Sequence, residues 1–226
     1  GVKPFDTAWL TTDEQKPRSA TISARHRKVF EYTNEFSREA QNNAAAIDME
    51  RYSLLSAEQA ATLPAGLWDI NQAFCAADWL AIHYQKKVVK TLQGGHVAAF
   101  LTAVGYLTYT DLLSTPMMIG GIISLMLFAV VNNALAVRGS WQRKYLDYRT
   151  LAEGLRVQFY WAAAGVTSGS VSKYAHDNFL QMQDTELGWI RNVMRVAGME
   201  CDVMPNLEPP GVQFAVQEWI GDDRSG

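Results

Sequence analysis

The residues best suited to hold a metal or move a proton near neutral pH are the histidines His26, His83, His96 and His176. They are dispersed, and none has a second ligand-type residue three or four positions away in a metal-motif spacing. Each reads as an exposed or interfacial ring. The run SVSK at 170–173 has the S-x-x-K spacing of acyl-enzyme serine hydrolases, a pattern that arises often by chance and has no companion motif here. Cys75 and Cys201 lie far apart, without the C-x-x-C or Cys/His spacing of a zinc site or a disulfide framework. No phosphate-cradling glycine loop, H-E-x-x-H or G-x-S-x-G occurs. Asp69, Asp78 and Glu153 have no acid–base partner in sequence. Asp78 and Glu153 are expected to pair with Lys or Arg of a neighbouring helix. The expectation is a protein that is not an enzyme, with no catalytic, cofactor-binding or metal-binding residue.

The net charge of −3 argues against a nucleic-acid partner, which calls for a basic excess. Apolar residues are concentrated in one place. From His96 to Val137 the only formal charge is Asp111. A bilayer core of about 30 Å needs about 20 apolar residues per helix, so this stretch is too long for one span and fits two. Asp111, Ser114, Thr115 and Pro116 form a turn, with Pro116 suited to the first turn of a second helix. The spans are placed at about 95–113 and 116–137, with Asp111 at the water boundary. Lys86, Lys87 and Lys90 precede them, and Arg138, Arg143, Lys144 and Arg149 follow. The turn has no Lys or Arg, so both ends are expected in the cytoplasm. Lys86, Lys87, Lys90, Arg138, Trp141, Arg143 and Lys144 are the expected interface anchors. A buried hairpin in a soluble core is the competing reading, and the hydroxyls of the first span favour it. Two adjacent segments with no charged face weigh against it.

Thr102, Tyr106, Tyr109, Asn132 and Asn133 are the polar residues of the spans with functional potential. They line a pore in an oligomer, or they pack helix to helix, the commoner reason for polar groups at that depth. Two helices cannot enclose a channel alone, so a pore requires a homo-oligomer.

Around the hairpin the pattern is all-α. Residues 1–65 form a connector and a helical region at 20–60, where Val29, Phe30, Tyr32 and Phe36 follow the helical period. Residues 66–198 form the two-span module. Its first stem helix, 67–93, carries an apolar stripe at Leu67, Ile70, Phe74, Ala77, Ala81, Tyr84 and Val88, with a kink expected at Gly94–Gly95. A stem after the second span buries Trp141, Tyr145, Tyr148, Ala152, Leu155 and Phe159, with Arg149 and Glu153 paired at i, i+4. A Gly/Ser break at 163–173 precedes a helix at 174–197 with Phe179, Met182, Leu187, Ile190 and Met194 inward. Residues 199–226 are read as a loop containing Pro205, Pro209, Pro210 and Gly211, followed by the start of an amphipathic segment. The stems are expected to pack as a cytoplasmic bundle.

The flanks ADWLAIHYQKKVVKTL, WQRKYLDYRTLAEGLRVQFYW and FLQMQDTELGWIRNVMR resemble bacterial two-transmembrane proteins of the SMODS- and SLOG-associating (SLATT) type, over about residues 70–197. The resemblance implies an inner-membrane effector of a conflict or antiphage defence system. In such systems a linked SLOG-type nucleotide sensor signals to a membrane part that perturbs or permeabilises the bilayer. This chain has no glycine-rich phosphate loop, which places any such sensor outside it, and the family supplies no catalytic residues to carry over. The alternative function is a passive membrane anchor and oligomerisation scaffold.

Overall fold

The computed structural model describes residues 24–56, 66–111, 115–165, 187–199, 201, 209–216 and 218. Among these the protein is all-α, with seven helices and no strand. They are α1 (Ala24–Asn42), α2 (Ala44–Glu50), α3 (Gly66–Asp111), α4 (Pro116–Arg138), α5 (Trp141–Ala163), α6 (Gly188–Ala197) and α7 (Pro209–Ala215).

The organising element is α3, whose 46 residues span about 69 Å at 1.5 Å per residue. Its lower part buries Leu67, Ile70, Phe74, Ala77, Leu80, Ala81 and Tyr84, which share one face of the helix. Beyond Tyr84 only Ala98 is buried. The chain returns antiparallel through α4 and then α5. Gly105 of α3 lies against Ile122 of α4, and Gly94 against Asn132 and Phe128. Lower down, Tyr84 meets Tyr148 of α5, and Asp78 meets Arg149. The elbow between α4 and α5 has a local cause. A Cβ on Gly139 would lie 2.2 Å from the Trp141 indole nitrogen, so only glycine admits that ring, and Ser140 takes a left-handed φ of 50°.

The core is confined to the lower half. Tyr148, Leu151, Ala152, Leu155 and Phe159 of α5 pack with the α3 stripe, Phe36 of α1 and Trp189 and Ile190 of α6. Phe36, Tyr148 and Trp189 form a ring cluster with centroids about 6 Å apart. Phe214 of α7 closes the bottom against Phe159 and Tyr160. Residues 51–55 are tucked under α3 by Asn71, whose Oδ1 accepts from the Leu54 N–H at 2.9 Å while its Nδ2 donates to Ser53 Oγ at 3.1 Å. The Cys75 thiol donates to the Tyr52 carbonyl at 3.3 Å, and burial raises its pKa.

Several expectations are corrected. The helix α3 runs on through Gly94 and Gly95, and Gly94 faces Asn132 and Phe128 of α4. Within the region read as helix at 20–60, the described residues 24–56 form two helices followed by an irregular segment from Arg51, and Phe30 is exposed while Val29 and Phe36 are buried. Pro209, Pro210 and Gly211 begin a helix rather than continuing a loop, since the first turn needs no proline N–H. Val88 is half-buried where the core gives way to the hairpin. Leu112–Ser114, the run 166–186 with SVSK, His176, Phe179 and Met182, and Pro205 lie outside the described residues.

Candidate functional site

The feature without precedent elsewhere in the molecule is the upper hairpin, made of the outer part of α3 and all of α4. No residue of α4 is buried. Met117, Ile123, Met126, Leu127, Phe128 and Val130 are all exposed, as are Val97, Phe100, Leu101 and Leu107 of α3. Among the described residues one helix, Pro116–Arg138, is long and apolar enough to cross a membrane. The outer part of α3 is less apolar because it carries Thr102, Tyr106, Thr108, Tyr109 and Thr110. Its threonine hydroxyls are nevertheless satisfied internally. Thr102, Thr108 and Thr110 donate to the carbonyls of Ala98, Val104 and Leu107, and Ser124 of α4 donates to that of Gly120.

The structure separates the five polar residues singled out above. Asn132 Nδ2 donates to the backbone carbonyl of Thr91 at 3.0 Å, a bond between α4 and α3. Thr102 and Tyr109 are half-buried. Tyr106 and Asn133 are exposed. Asn133 borders a cleft of about 220 Å³ beside the elbow, whose wall also includes Val88, Leu92, Val137, Gln142 and Arg143.

At the root of the hairpin lies a charged lattice joining α1, α3 and α5. Arg143 and Lys144, just past the elbow, reach two carboxylates one turn apart on α1. Arg143 Nη2 lies 2.6 Å from Glu35 Oε2 and Nη1 lies 3.1 Å from Asp147 Oδ2. Lys144 Nζ lies 2.9 Å from Glu35 Oε1 and 2.5 Å from Glu39 Oε1. Tyr84 and Tyr148 each donate a phenolic O–H to Glu39 at 2.9 Å. The Arg143 guanidinium also rests 4.1 Å over the Tyr32 ring. Burial alone would raise the Glu35 carboxyl, but hydrogen bonds and charge from Arg143 and Lys144 outweigh it and hold the pKa low. Burial likewise opposes the charge on Arg143 and Lys144, and their carboxylate partners more than offset it, raising both pKa values. Burial, reinforced by Glu39, pushes the Tyr148 phenol far up, so it stays a donor.

Lys86, Lys90 and Arg138 stand exposed where the core ends, and Lys87 lies over the rings of Tyr84 and Trp141. Arg143 and Lys144, read from sequence as interface anchors, are half-buried and held by carboxylates. Lower down, Arg149 bridges Asp78 at 3.4 Å and Glu153 at 2.6 Å, the pairing anticipated from sequence. Burial raises the Asp78 pKa, and with Glu153 adding to the rise the charges of Arg149 and Arg156 only partly offset it.

Of the candidates for chemistry, His83 stacks on Trp79 at 5.0 Å, and burial lowers its pKa. His96 Nδ1 sits 2.7 Å from its own helix's Leu92 carbonyl. The side chains of His26 and His176 lie outside the described residues. Among the described residues no three His, Cys, Asp or Glu side chains converge as a metal site. Glu35 and Glu39, the residues sequence reasoning missed, sit four apart on the face of α1 that carries Tyr32 and Phe36. That placement was the one available signal. No family model, curated protein or solved structure matches this chain.

Proposed function

We propose that the chain is a membrane-embedded effector: the upper hairpin inserts as two antiparallel spans, the bundle stands on the cytoplasmic side, and copies assemble so that a signal reaching the stem perturbs the bilayer. The observation that carries this reading is α4, 23 residues rich in apolar side chains and none of them buried. An exposed apolar area of this extent on a water-soluble surface is a liability, whereas in lipid it is the favourable arrangement. The internally bonded hydroxyls and the exposed Lys86, Lys90 and Arg138 at the foot of the hairpin support the same placement. The SLATT resemblance supplies the defence context, the bacterial inner membrane and a sensor of the SLOG type outside this segment.

Dye release from vesicles carrying the full chain, with and without Tyr106→Leu and Asn133→Leu, tests the effector role. The proposal expects leakage that these two exposed polar residues modulate. Tight vesicles under every activating condition contradict it.

A second reading, an anchor that only positions and oligomerises a partner, draws on a specific observation. Asn132 is committed to Thr91, and Thr102 is half-buried with its hydroxyl bonded to its own helix, which suits packing rather than pore lining. In that case the vesicles stay tight, and Asn132→Leu loosens the hairpin without changing permeability.

A further inference from the structure

We infer that α1 is a swinging strap with an ionic clasp on the hairpin root, so that its attachment governs the freedom of the α4–α5 elbow. The two ends of the strap are held by different forces. At its C-terminal end α2 buries Ile47, and the following segment buries Leu54 and Leu55. Asn71 and Cys75 of α3 fix that segment by hydrogen bonds, and Arg51 Nη1 reaches Gln72 at 3.4 Å. Between the fixed end and α1 stands Asn43, with φ −110° and ψ 13°, a departure from helical geometry that serves as the pivot.

The body of α1 is held otherwise. Among its described side chains Val29 and Phe36 are the buried apolar ones, with Tyr32 and Ala40 partly buried against the core, a narrow footing for a helix of 19 residues. Glu35 and Glu39 supply the remainder, gripping Arg143 and Lys144 three and four residues past the left-handed Ser140. Those two cations belong to the first turns of α5, so the clasp closes directly on the elbow that joins the stem to the hairpin. With the clasp shut, α1 braces α5 against α3 through Tyr84 and Tyr148. With it open, Arg143 keeps only Asp147 and Lys144 loses both carboxylates. The elbow, where the adjoining cleft leaves room beside Asn133 and Val137, is then free to turn. A polar lattice of this kind switches better than an apolar contact, because competing charge or proton supply can open it.

The test is amide hydrogen exchange on the full chain in mild detergent, with no bilayer, so it stands apart from the membrane reading. The pair Glu35→Gln and Glu39→Gln together is compared with Glu31→Gln, an exposed change on the same helix. The strap predicts that amides of 27–40 exchange about tenfold faster in the double variant. Amides of 47–55, 70–82 and 148–160 keep their protection. Lys144→Gln, which opens the clasp from the other side, gives the same pattern. Faster exchange throughout the bundle makes the lattice a structural brace and overturns the inference. Unchanged exchange in α1 overturns it as well, because packing alone then holds the helix.

Discussion

Glycine substitutions on the hairpin give opposite outcomes that the helix pairing decides. A Cβ at Gly105 would lie 3.3 Å from Ile122 Cγ1, tighter than ordinary van der Waals contact, whereas Gly120 and Gly121 have nothing within 4 Å. Each of the three sits inside a helix, where replacing glycine by leucine gains about 0.8 kcal/mol of helix propensity. At Gly120 that gain stands alone, because the added side chain meets open space. At Gly105 four side-chain carbons must enter a filled seam, and overpacking of that kind costs about 1–3 kcal/mol. Gly105→Leu is therefore expected to be neutral at best and destabilising by up to about 2 kcal/mol, and Gly120→Leu stabilising by about 1 kcal/mol. For a chain of this length about 1 kcal/mol moves the melting temperature by about 2–4 °C. Circular dichroism melts in mild detergent read the difference, with Gly120→Leu several degrees above Gly105→Leu. Equal melting temperatures, or the reverse order, refute the antiparallel pairing of α3 with α4.

Other consequences follow from the stem. Asn71→Ala removes the acceptor of the buried Leu54 N–H and leaves a void, so a loss of about 2–3 kcal/mol is expected in denaturant titration, with residues 51–55 losing protection first. Arg149→Met should cost about 1–2 kcal/mol by the same assay, because the Glu153 pair is solvent-exposed while the mostly buried Asp78 carboxylate loses its bonded cation. The clasp also sets a pH window. The Glu35 pKa is depressed, so its contribution is complete above the ordinary 4.5 and fades as pH falls through the lower folded value. Lys144 is raised, so its contribution is complete below 10.5 and fades as pH climbs through the higher folded value. Protection of α1 should therefore be flat across neutral pH and drop at both extremes, and a midpoint near pH 6–7 would contradict the assignment.

Helices were legible where a single face is buried. The stripe Leu67–Ile70–Phe74–Ala77–Ala81–Tyr84 follows the helical period and is the buried face of α3, and Tyr148, Ala152, Leu155 and Phe159 do the same for α5. Asp111 and Pro116, read from the sequence as flanking a turn, are the last residue of α3 and the first of α4. The clasp was not legible. Arg143 and Lys144 stand more than 100 positions from Glu35 and Glu39, and a cation after an apolar run reads as a headgroup anchor until tertiary structure brings a carboxylate to it. Phe30 misled for a related reason, since an apolar side chain one residue out of phase adds hydrophobicity without facing the core. Gly94 and Gly95 mark weak local helix propensity, and α3 nonetheless runs on as helix through both, with Gly94 facing Asn132 and Phe128.

The most direct measurement is alkaline carbonate washing of membranes from bacteria expressing the full chain, with the protein followed into pellet and supernatant. Two spans through lipid keep it in the pellet until detergent is added, and removing 95–137 moves it to the supernatant. Recovery of the intact chain in the wash contradicts the membrane reading and the effector role built on it.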